Sequence, residues 1–170
     1  MIAALMAGLV AVAPAGAPAD GCVIEARAGH CIVQPVSVEA IAATSKQNRN
    51  LEGWGKSLYR GKWWRAEYAD VRRCIMKRES NYRYTAKNPT SSASGAYQFL
   101  DNKWRRGLVH MMLAESKETR DGLAPEIREL FHVPIRKWSR YYQDRAFYTA
   151  WRHGKGAKHW APQIAGTGCW

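Results

Sequence analysis

The sequence predicts a mainly α-helical protein with little or no strand, and three observations carry that expectation. Apolar residues recur at steps of three and four along several segments. No stretch of six residues alternates convincingly between apolar and polar, apart from a short excursion in SGAYQF. Clusters of Gly, Pro, Asn, Asp and Ser separate the periodic segments. At 170 residues the chain is long enough for one compact domain with a core and an appendage.

The first nineteen residues, MIAALMAGLVAVAPAGAPA, carry no charged side chain and end in Ala17-Pro18-Ala19 before Asp20, the small-x-small form of a signal-peptidase site. A signal peptide over 1–19 is expected, although no Lys or Arg precedes its apolar run. That run is too short to span a bilayer, and Pro14 and Pro18 oppose its extension. We therefore expect export without stable membrane insertion. Residues 20–62 include five glycines and no sustained period beyond a weak helical stretch in VSVEAIAATSKQNRN, so they read as a partly ordered lead-in.

The principal domain is expected over 63–170. In AEYADVRRCIMKRES the residues Tyr68, Val71, Cys74, Ile75 and Arg78 follow helical steps, and Glu79 lies four residues beyond Ile75 at the end of that stripe. Asn81, Asn88-Pro89, Ser91, Ser92, Ser94 and Gly95 then form a loop, since Pro89 bars Asn88 from ordinary helix. Tyr97, Leu100 and Trp104 resume the helical step, with Asp101 placed to cap a helix from Asn102. Two further pieces, LVHMMLAESKETR and APEIRELF, are divided by Asp121-Gly122, and Pro125 suits a first turn. The last helix, SRYYQDRAFYTAWRH, places Tyr142, Ala146, Phe147, Ala150 and Trp151 on one face, with Gly154 as its stop.

Four cysteines at 22, 31, 74 and 169 show no C-x-x-C spacing, so disulfides are favoured over a metal, and no metal or cofactor is expected. Of the three pairings we favour Cys22 with Cys31 and Cys74 with Cys169; the alternative is four buried thiols. The charge is uneven. From residue 46 onward 25 basic residues face 11 acidic ones, a net +14, which points to a polyanionic partner. The basic residues are dispersed rather than set in a recognised nucleic-acid motif, so nucleic acid is not expected. An exported chain meets anionic wall polymers first.

Eight Trp and eight Tyr against three Phe mean that most rings carry a hydrogen-bonding edge, as cores and sugar platforms both use. A Glu at a helix end is most often a solvated charge. Glu79, however, follows an apolar stripe and precedes a Ser-Asn turn, where partial desolvation would hold its carboxyl protonated as a proton donor. Cleavage of a glycosidic bond requires such a donor.

The stretch CIMKRESNYRYTAKNPTSSASGAYQFLDNKW resembles the catalytic region of bacterial lytic transglycosylases and lysozyme-like proteins. It resembles in particular the actinobacterial secreted domains related to resuscitation-promoting factors. The family's Glu-Ser pair is matched by Glu79-Ser80, its Gly-x-x-Gln-x motif by Gly95-Ala96-Tyr97-Gln98-Phe99, and a following Trp by Trp104. The family's cysteines before the acid and at the domain end resemble Cys74 and Cys169. A third family motif, Ala-Tyr-Asn-x-Gly, has only a partial counterpart in Ala150-Trp151-Arg152-His153-Gly154, with Tyr148 as a substitute one turn earlier.

The resemblance implies a lysozyme-like helical domain of the goose-type and soluble transglycosylase kind, tied by a disulfide. It implies Glu79 as catalytic acid and then base, and Ser80, Asn81, Tyr97, Gln98, Tyr148 and Trp151 along the substrate groove. The implied partner is the peptidoglycan glycan strand, cut by a secreted or wall-associated monomer. The lytic transglycosylase needs one Glu, whereas a hydrolytic lysozyme generally uses a second carboxylate. Asp101, Glu115, Glu118, Asp121 and Asp144 are available, and none has a marked spacing. A wall-binding or growth-stimulating module with little turnover is the alternative outside catalysis.

Overall fold

The computed structural model describes residues 22–24, 31–33, 37–161 and 168–170, the first two spans by backbone alone. The expected signal segment and the side chains of Cys22 and Cys31 lie outside the described residues. The chain divides into two compact units after Pro35. In the first, β1 (Cys22–Ile24) pairs antiparallel with β2 (Cys31–Val33), with Val23 opposite Ile32. Strands of three residues are too short for alternation to announce them.

The second unit is mainly helical. It opens with α1 (Val38–Thr44), where Ser37 Oγ accepts from the Ala40 N–H at 3.1 Å and so caps the helix. Residues 37–62, expected as a partly ordered lead-in ahead of a domain from 63, belong to the same compact unit as the rest of the helical part. Tyr59 is wholly buried, and the Asn48 side-chain oxygen accepts the Tyr141 N–H at 2.6 Å. Polar side chains and backbone carbonyls hold this segment, and such contacts leave no hydrophobic period in the sequence.

Helix α2 (Ala69–Ser80) forms where the stripe predicted it, but its buried residues are Arg72, Ile75, Met76 and Ser80 rather than Val71, Cys74 and Arg78. The face is turned because the Arg72 guanidinium finds partners inside. A short hairpin follows, β3 (Ala93–Ser94) against β4 (Phe99–Leu100), at the SGAYQF excursion. Next, α3 (Asp101–Thr119) runs unbroken through what the sequence divides at 107. Asp101 begins this helix instead of capping it, and its Oδ2 accepts the Ile135 N–H at 3.2 Å.

After α4 (Ala124–Glu129), with Pro125 in its first turn, comes α5 (Arg140–Trp151). Every residue of α5 is buried. It is the central element, packed on α3 and on the loop that carries β3 and β4. The chain turns out of α5 through Arg152 (φ 45°) and His153 (φ 56°), ahead of the predicted stop at Gly154. A disulfide joins Cys74 of α2 to Cys169, with the Cα atoms 5.6 Å apart. Among the described residues no helix is long and apolar enough to cross a membrane.

Candidate active site at the end of α2

Glu79 occupies the last turn of α2, and its side chain is 26% exposed. Two N–H groups of Arg78 donate to Oε1, at 2.8 and 3.1 Å. Oε2 accepts no hydrogen bond among the described residues, which leaves one carboxylate oxygen open to solvent. A guanidinium therefore stands beside the carboxyl for which the apolar stripe predicts partial desolvation.

The helix ends immediately afterwards on two left-handed residues, Asn81 (φ 50°) and Tyr82 (φ 67°), whose N–H groups return to the carbonyls of Lys77 and Met76. Left-handed backbone costs a non-glycine residue about 1 kcal/mol, least for Asn. Asn81 is exposed, and its side-chain oxygen accepts from Lys77 Nζ at 2.8 Å. It serves as a helix cap, with its side chain turned back along α2.

Two contacts bring the Gly-x-x-Gln segment to this helix end. The Ser80 hydroxyl donates toward the Ala96 carbonyl at 2.9 Å and the Met76 carbonyl at 3.1 Å. The Trp160 indole N–H donates to the Tyr97 carbonyl at 3.0 Å, while the Trp160 carbonyl accepts from the same Arg78 nitrogen that holds Glu79, at 2.6 Å. Glu79 and the 95–99 segment are thus linked through Arg78 and Trp160. Ser80 is buried and acts as the second tie, so it positions the motif and presents no group to a ligand.

Gly95 has φ +79° and lies so close to Gln143 that a Cβ would come 2.5 Å from Oε1 of that side chain. Only glycine fits there. The neighbouring Ala96 N–H donates to the same oxygen at 2.9 Å, which fastens the motif to α5. Gln98 is also left-handed (φ 51°), and its side-chain N–H donates to the Gly95 carbonyl at 3.0 Å, closing the turn on itself.

The aromatic residues expected along the groove lie elsewhere. Tyr97 is 1% exposed, stacks on Phe147 at 4.7 Å and donates its hydroxyl hydrogen to Asp144 at 2.6 Å. No face of its ring is left for a sugar. Trp151 is likewise buried, stacked with Phe147 at 5.9 Å, and its indole nitrogen has no hydrogen-bond partner among the described residues. Tyr148 is buried and lines a concavity with Ala69 and Arg72, at the opposite end of α2. Seven residues separate Arg72 from Glu79, roughly 10 Å along the helix axis. Of the expected site residues, Glu79, Ser80 and Asn81 stand together at the end of α2, Ser80 ties that end to the segment that carries Gln98, and Tyr97, Tyr148 and Trp151 belong to the core.

Sequence reasoning missed the buried charges of the core. Arg72 donates to Asp144 at 3.2 Å, to the Tyr97 hydroxyl at 2.9 Å and to the Gly55 carbonyl at 3.0 Å. Burial acts against the Arg72 charge, but Asp144 and the surrounding tyrosines outweigh it and raise its pKa. Burial pushes the Tyr97 hydroxyl well up, so it remains a donor to Asp144. A second cluster joins Arg145 to Glu115 at 3.1 Å and to Asp121 at 2.8 Å, with Tyr59 also donating to Glu115. The available signal was the charged residue inside an aromatic period, Asp144 between Tyr141 and Tyr148.

Compared with protein-family models, curated proteins and solved structures, the chain finds no match.

Proposed function

We propose that the chain is a secreted, lysozyme-like enzyme that cleaves the MurNAc–GlcNAc bond of peptidoglycan, acting as a lytic transglycosylase with Glu79 as its single acid and base. The observation that carries this reading is the double tie of the Gly95–Phe99 segment to the helix end that bears Glu79, through Ser80 and through Trp160. Strained backbone at Tyr82, just past the end of the helix, and at Gln98, within the tied segment, supports it, since such strain persists where a site needs one geometry.

In the proposed reaction Glu79 gives a proton to the glycosidic oxygen as the bond to the muramoyl C1 breaks. The carboxylate then takes the proton of the C6 hydroxyl, whose oxygen closes on C1 to form the anhydro end. The fate of the other carboxylates favours this single-residue route over hydrolysis. Glu115, Asp121 and Asp144 are buried in ion pairs with Arg145 and Arg72, and Glu118 pairs with Lys62 at 2.6 Å. Asp101 lies 3.5 Å from Arg105.

A second reading is a wall-binding module with little turnover. The two Arg78 hydrogen bonds that occupy one oxygen of Glu79 favour it. Mass spectrometry of peptidoglycan digested by the wild type and by Glu79→Gln separates these readings. Anhydro-muramoyl ends made only by the wild type are expected. Reducing ends would assign hydrolysis, and retention on sacculi with neither product would assign the binding role.

A further inference from the structure

Arg140 opens α5 and is 6% exposed, yet no carboxylate pairs with it among the described residues. Its Nε is buried and has no hydrogen-bond partner among the described residues. The guanidinium rests over the Tyr84 ring at 5.3 Å and so close to Gly55 that an added Cβ would lie 2.0 Å from Nη2. A cation at a helix N-terminus stands against the positive end of the helix dipole, and a buried one without a counter-charge is costly. The other buried arginines, Arg72 and Arg145, each have carboxylate partners.

Arg140 lines a concavity of about 440 Å³ together with Lys56, Arg60, Gln47, Asn50 and Ser57. No acidic residue lines it. The Lys56 ammonium and the Arg60 guanidinium form no ion pair among the described residues either, although the Arg60 backbone N–H donates to Glu39 at 3.1 Å. Arg60 is held in place by the carbonyls of Ser57 and Tyr59 and lies over the Trp64 ring at 4.5 Å, which directs its charge without neutralising it. An adjoining concavity shares Lys56, Ser57 and Arg60 and adds Trp54 and Trp64 to the wall.

We propose that this concavity is a binding site for a phosphoryl group carried on a polyol or sugar. Three cations without counter-charges match a doubly charged oxyanion better than a single carboxylate, and a planar guanidinium with an ammonium serves its several oxygens at once. The Gln47 amide and the Asn50 side-chain N–H suit the hydroxyls of the carrier, whereas the Ser57 hydroxyl is engaged with the Tyr59 backbone, and the volume exceeds that of a bare ion. The site involves the first turn of α5 and does not include Glu79.

Calorimetric titration of the full chain with glycerol 3-phosphate, inorganic phosphate and acetate at low salt tests the assignment. Glycerol 3-phosphate is expected to bind with a Kd below about 1 mM, inorganic phosphate more weakly and acetate not at all. Arg140→Gln and Lys56→Gln are each expected to weaken binding about tenfold, the loss of one charge-assisted contact. Arg128→Gln, which removes an exposed charge elsewhere, and Glu79→Gln should leave binding within about twofold. If Arg140→Gln fails to fold by circular dichroism, the exposed Lys56→Gln decides. Equal losses for Arg128→Gln and Lys56→Gln, equal binding of acetate, or binding of a DNA oligonucleotide through Arg140 without binding of glycerol 3-phosphate would each overturn the proposal.

Discussion

Arg72 of α2 and Asp144 of α5 meet at 3.2 Å with side chains 1% and 0% exposed, and the hydroxyls of Tyr84 and Tyr97 donate to the same carboxylate at 2.8 and 2.6 Å. This pair fixes how α2 lies on α5, and with it the direction in which the end of α2 presents Glu79. Replacing Asp144 by Asn leaves the Arg72 charge buried without its counter-charge. A loss of about 3 to 5 kcal/mol is expected in urea unfolding. Arg72→Met with Asp144→Leu should be far milder than either single change, because no isolated charge remains.

Tyr97→Phe separates a core role from a sugar-stacking role. The ring and its stack on Phe147 remain, while the hydroxyl between Arg72 and Asp144 is lost. Stability should fall by about 1 to 2 kcal/mol in chemical denaturation. Retention on purified sacculi below the unfolding transition should be unchanged.

Glu79→Gln tests the proposed acid directly. The side chain is partly exposed and its one partner is its sequence neighbour, so the melting temperature should move little. Release of soluble glycan should drop by about 100-fold or more, the ordinary contribution of a positioned proton donor. Equal release by the variant and the wild type would remove Glu79 from the mechanism.

Acid stability should depend on Asp121. Burial pushes its carboxyl up, but hydrogen bonds from Ser116 and the Arg145 charge outweigh it, so the folded pKa lies below the usual carboxylate value. The unfolded chain then binds the proton more readily. The stabilisation is full above the unfolded pKa, near 4, and is lost as pH falls through the lower folded value. Unfolding curves between pH 6 and 2 should show a shallower acid limb for Asp121→Asn than for the wild type.

The bridge between Cys74 and Cys169 spans 95 residues of sequence. In the chain-entropy account, closing a loop of that length stabilises the fold by about 4.7 kcal/mol. Reduction, or Cys169→Ser with Cys74→Ser, should lower the melting temperature by several degrees or more, by roughly the same amount in either experiment.

Much of the architecture was legible in local sequence. The end of α2 at Glu79, the loop that follows, the return at Gly95 and the long last helix all depend on periodicity, Pro and Gly, which act over a few residues. The pairing of Cys74 with Cys169 was also readable, from number and spacing. Which face of α2 is buried was not readable. Arg72 enters the core only because Asp144, seventy-two residues later, is there to meet it. Charged side chains look alike in a sequence whether solvent or a distant partner compensates them. For the same reason Tyr97 and Trp151, expected along a groove, are core rings, and no local feature of the sequence marks Arg140 as buried. Local composition determines where the chain turns and where helices begin; the sequestering of charge away from water is decided by long-range packing, because only the folded chain brings the compensating groups together.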